Sequence, residues 1–88
     1  ILYTVPSGKT LYIRKLTCGC DTPPCEMVLR LYNASLDEDY IWLTKKYGAD
    51  IEFDPPLPIE GGDEVWVWIY NRGSADNRYL CALLGWEK

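Results

Sequence analysis

The chain of 88 residues contains no histidine. That absence removes the commonest general base, the usual activator of a serine or cysteine nucleophile and the commonest metal ligand. A P-loop, a GxGxxG fingerprint and a GxSxG elbow are also missing. Gly61-Gly62-Asp63 is a turn signal with no helix pattern behind it. The sequence therefore predicts no enzyme, no catalytic residue, no metal and no cofactor. No apolar run approaches the roughly 18 residues of a membrane span, and no signal peptide is visible, so no membrane partner is expected. Net charge is −4 with both signs spread along the chain, and Lys45-Lys46 reads as a solvated strand end. Phosphate backbones need clustered positive charge, so no nucleic-acid partner is expected. Amphipathic helices, internal repeats and low-complexity segments are missing too. The chain begins at Ile1 rather than Met, which reads as processing, trimming or a fragment.

What is present is a strongly patterned strand, Glu64-Val65-Trp66-Val67-Trp68-Ile69-Tyr70. Alternation puts Val65, Val67 and Ile69 on one face and Trp66, Trp68 and Tyr70 on the other. The aliphatic row suits a core. The aromatic row is a contiguous apolar patch of the kind that marks a contact surface.

Turn residues recur every eight to twelve positions, the spacing of an all-β sandwich or barrel. Eight strands are expected, over residues 2–5, 9–17, 26–32, 40–47, 51–53, 57–60, 64–70 and 78–86, in a single domain spanning 1–88. Asp54-Pro55-Pro56 divides the fifth from the sixth. The segments 33–39 and 71–77 read as loops. The inward rows are Leu11 and Ile13; Met27, Leu29 and Leu31; Ile41 and Leu43; and Val65, Val67 and Ile69. The last strand has two apolar faces, Leu80, Ala82, Leu84 and Trp86 against Cys81 and Leu83. Either both are covered or a bulge shifts the register. Asp37-Glu38-Asp39 is the densest acidic group and reads as a turn.

Cys18, Cys20 and Cys25 crowd one loop, and Cys81 lies far away. A Cys18–Cys20 bridge is strained across so few atoms. The two remaining pairings are Cys20–Cys25 with Cys18–Cys81, and Cys18–Cys25 with Cys20–Cys81. The first is preferred, because 21–24 can form a turn inside the small ring. Two disulfides help a domain this small and imply an extracellular setting, a virion or a hyperthermophile. The rival, a four-cysteine zinc site, fits the spacing poorly, since zinc knuckles use pairs two to four residues apart.

Three stretches carry a resemblance: Thr4-Val5-Pro6-Ser7-Gly8-Lys9-Thr10-Leu11-Tyr12-Ile13, then Phe53-Asp54-Pro55-Pro56-Leu57-Pro58-Ile59-Glu60-Gly61-Gly62-Asp63-Glu64-Val65, then Leu84-Gly85-Trp86-Glu87. Their order and spacing resemble small jelly-roll modules in structural proteins of tailed phages and related viruses, such as capsid decoration, head-fibre and tail-associated subunits. The resemblance implies an antiparallel eight-stranded sandwich of jelly-roll type, with the second, seventh, fourth and fifth strands as neighbours. It also implies one outer surface carrying Tyr12, Tyr40, Trp42, Trp66, Trp68 and Tyr70, with Arg14, Thr44 and Asn71 at its rim.

The function expected is a non-enzymatic virion subunit that binds capsid or tail protein, or copies of itself, through that face. The alternatives are a carbohydrate-binding module using the same rings and a cell-surface filament subunit.

Overall fold

The computed structural model describes residues 2–73 and 77–88, so the middle of the expected 71–77 loop lies outside the described residues. Among the described residues the regular structure is all strand. The order is β1 (Leu2–Thr4), β2 (Thr10–Cys20), β3 (Met27–Asn33), β4 (Glu38–Lys45), β5 (Ala49–Glu60), β6 (Glu64–Asn71) and β7 (Tyr79–Glu87). They form two sheets, β1-β6-β3-β4 and β5-β2-β7, with every strand pair antiparallel.

Two expectations are corrected. Among the described residues there are seven strands rather than eight, because 51–53 and 57–60 belong to one strand, β5. Proline breaks a central strand but is tolerated on an edge, and β5 is an edge. Pro55 and Pro56 sit where the ladder is already interrupted: β2 pairs Ile13 with Leu57 and Lys15 with Glu52, so residues 53–56 bulge opposite Arg14. The expected neighbours are not neighbours either. β2 lies between β5 and β7, whereas the seventh expected strand, now β6, lies between β1 and β3 in the other sheet.

The bulge at Arg14 also decides which face of β2 is inside. Before it Leu11 and Ile13 point inward; after it Leu16, Cys18 and Cys20 do. Opposite the bulge is Gly85, where an added Cβ would lie 2.1 Å from the Tyr12 carbonyl oxygen. Only glycine fits there. The expected inward rows of β3, β4 and β6 all contribute to one hydrophobic cluster, with Met27, Leu29 and Leu31 fully buried at its centre. The turn from β3 to β4 is organised by buried Asn33. Its Oδ1 accepts from the Ser35 and Leu36 amides at 3.0 and 3.1 Å, and its Nδ2 donates to Tyr40 and Asp63.

Cys20 and Cys25 form a disulfide with Cα atoms 5.6 Å apart. The second expected bridge is not formed. Cys18 and Cys81 are thiols, directly opposite each other on β2 and β7. The Cys18 thiol donates a hydrogen bond to Cys81, which together with burial pushes Cys18 well above its ordinary pKa and lowers that of Cys81. With Cys20 and Cys25 bonded to each other, a four-cysteine zinc site cannot form.

Candidate functional site

The outward face of the four-stranded sheet carries the candidate site. Alternation along β6 holds: Val65 and Val67 are buried, while Trp66, Trp68 and Tyr70 lie outside. Register then dictates what stands beside them. On β3, Tyr32 is opposite Trp66, Arg30 is opposite Trp68, and Val28 is opposite Tyr70. On the far side of β3, Arg30 is opposite Trp42 and Val28 is opposite Thr44 of β4.

Neighbouring side chains on one face of a sheet touch, and here they touch as rings, along β6 and diagonally across to β3. Centroids lie 5.1 Å apart for Trp66 and Trp68, 6.0 Å for Trp68 and Tyr70, and 6.0 Å for Tyr32 and Trp68. The Arg30 guanidinium lies between them, 4.3 Å from the Trp42 ring, 4.8 Å from Trp68 and 5.1 Å from Tyr32. Stacked guanidinium over aromatic faces is a favourable cation–π geometry. Asp39 grips the same guanidinium, its Oδ1 accepting from Nε at 3.1 Å and its Oδ2 from Nη2 at 3.2 Å. The Tyr32 hydroxyl donates to Asp37, and the Trp66 indole N–H donates to Glu64. The acidic turn is thus bonded to the aromatic face rather than open. Among the described residues no group of three potential ligands could hold a metal ion.

The layer covers its own floor. Val28 points outward yet is only 8% exposed, because the surrounding side chains close over it. Its border stays open: Trp42 is 64% exposed and Tyr70 44%. The layer can present flat ring faces beside one engaged ion pair, which is binding chemistry.

Four of the six expected residues, Trp42, Trp66, Trp68 and Tyr70, are brought together. Two are not. Tyr40 packs against the core, because a register shift between Leu31 and Tyr32 leaves it unpaired and turns Asp39 outward instead. Tyr12 belongs to the other sheet, where it stacks on Trp86 at 5.4 Å. Of the expected rim, Thr44 borders the face. Arg14 sits in the bulge of the second sheet, and Asn71 Oδ1 is used by the Gly73 amide and the Tyr79 hydroxyl. Arg30 and Tyr32 were missed. Their signal was the inward row Met27, Leu29, Leu31, which requires Val28, Arg30 and Tyr32 to share the opposite face.

No family model, no curated protein and no solved structure matches this chain.

Proposed function

We propose that this protein is a non-enzymatic structural subunit that assembles onto a protein partner through the aromatic face. The observation that carries the reading is the layer of Trp66, Trp68, Tyr70, Tyr32 and Trp42 around Arg30, open to solvent along its border. Tryptophan, tyrosine and arginine are the residues that dominate interface energetics. Full burial of one such ring is worth roughly 2–3 kcal/mol from area alone.

The resemblance to virion modules makes capsid or tail protein, or copies of the same chain, the proposed partner. The strand pairing supports it. β1 pairs with β6, β2 with β5 and β3 with β4, a nested set. Such nesting is how a long hairpin winds into a jelly roll, here shortened and extended by β7 at one edge. The Cys20–Cys25 bridge supports a virion or extracellular setting.

One observation favours carbohydrate as a second reading. Sugar sites need hydrogen-bonding groups beside the rings, and Arg30, Asp39 and Glu64 lie within the layer. The deciding experiment is native mass measurement with identification of co-purifying proteins, beside a glycan array. A particle protein captured by the wild type and lost on Trp42→Ser supports the first reading. Specific glycan binding lost on the same change, with no captured protein, replaces it with the second.

A further inference from the structure

The free edge of β7 is unlike the other edges of the sandwich. The β5 edge carries Asp50, Glu52, Asp54 and three prolines, the β4 edge carries Glu38, Asp39 and Lys45, and β1 has only three residues. Charges, prolines and short length are the devices that keep sheet edges from pairing. From Tyr79 to Trp86, β7 has no charge and no proline. Its outward residues Leu80 and Leu84 are 62% and 53% exposed. On the inner side the sandwich stands open beside it. A cleft of about 630 Å³ is lined there by Tyr3, Leu11, Ile13, Leu83 and Gly85. The three-stranded sheet is one strand short of its partner sheet at this point.

We propose that β7 is a homodimerisation edge, pairing antiparallel with β7 of a second copy to form one continuous six-stranded sheet. The occupant follows from backbone direction and charge. The Asp21 amide donates to the Arg78 carbonyl, and Thr10 and Lys88 exchange both bonds. Even-numbered β7 residues therefore face β2, and the amides of the odd-numbered residues point to the open edge. A two-fold axis preserves the pleat only when paired residues share parity. Centring the axis on Leu83 sets Arg78 against Lys88 of the second copy. Centring it on Ala82 instead sets Arg78 against the Trp86 ring, next to Glu87. In that register Leu80 meets Leu84, Cys81 meets Leu83 and Tyr79 meets Gly85 of the second copy. A charged strand finds no counter-charge on this edge, whereas an uncharged copy of itself does not need one. The inference does not depend on the aromatic face, which lies on the other sheet.

Sedimentation and site-specific cross-linking test it. The wild type should sediment as a dimer, and Trp42→Ser should leave that unchanged. Ala82→Lys sets two lysines opposite each other on the axis and should weaken the dimer at least about tenfold, with Ala82→Ser as the size control. Ala82 pairs with its copy at a position without hydrogen bonds, where Cα atoms approach to about 4.5 Å, within disulfide range. Mild oxidation of Ala82→Cys should give a covalent dimer bridged 82 to 82, whereas Leu84→Cys alone should not cross-link. A wild type that stays monomeric at high concentration, an Ala82→Lys variant that dimerises as well as Ala82→Ser, or cross-links in another register would overturn the proposal.

Discussion

Arg30 lies over the ring of Trp42 from the position directly opposite it on the neighbouring strand, with 4.3 Å between guanidinium carbon and ring centroid. Arg30 sits inside the aromatic layer, whose interior rings already contact one another, while Trp42 forms its open border. Border and interior should therefore behave differently on substitution.

Trp42→Ser should change folding stability by under about 1 kcal/mol while costing several kcal/mol in partner binding. Trp68→Ser removes contacts to Trp66, Tyr70 and Tyr32 and should cost about 1–3 kcal/mol of stability as well as binding. Val67→Ser, which sets a hydroxyl in the core, should unfold more readily than either. Denaturant melts beside binding isotherms separate the three, and a Trp42→Ser variant that loses stability as Val67→Ser does would reverse the assignment of faces.

Cys18 and Cys81 should be reactive toward each other. Native protein should show two alkylatable thiols, with Cys81 labelled first because its pKa is lowered by the Cys18 hydrogen bond. Mild oxidation should close a Cys18–Cys81 bridge, protect both thiols and stabilise the fold by about 4 kcal/mol in the chain-entropy model. Intact mass and melting before and after oxidation check it; oxidised protein that retains two free thiols counts against it.

Tyr32 predicts a specific alkaline signature. Its hydroxyl donates to Asp37, which holds its pKa above the usual tyrosine value. A raised folded pKa contributes stability that is fully present below the unfolded value of about 10 and is lost as pH rises through the folded value. The stability gap between wild type and Tyr32→Phe should thus stay constant below about pH 10 and narrow above it. Urea melts across that range read the gap directly, and a gap of constant size throughout would sink the assignment.

Much of the fold was legible as alternation. The inward rows of β3, β4 and β6 followed from period-two patterning alone, as did the outward Trp66, Trp68 and Tyr70. Tyr40 and Tyr12 were misplaced for physical reasons that alternation does not carry. A register shift in β4 exchanged the sides of Tyr40 and Asp39. Tyr12 was set beside Trp66 by an assumed strand order, and that order depends on which distant segments pair. Arg30 carries no signal of its own in the sequence; its place follows from Trp42 and Trp68 standing opposite it on the two neighbouring strands. The prolines of β5 looked like a break because proline reports a missing donor, not which edge can spare one.

The nested pairing of strands has a kinetic consequence. Asn33 is paired with Glu38 across a tight turn, Thr10 with Glu60, and Leu2 with Trp66, each enclosing the one before. Loop-closure entropy rises with the length enclosed, so the β3–β4 hairpin closes cheaply and shortens the loop that each later pair must close. Folding should therefore zip outward. Substitutions at Leu31 or Leu43 should slow folding, and substitution at Val5 should mainly speed unfolding. A Val5→Ala variant that slows folding as much as Leu43→Ala would refute this order. On the ribosome the same nesting leaves β1 waiting unpaired until β6 has been synthesised.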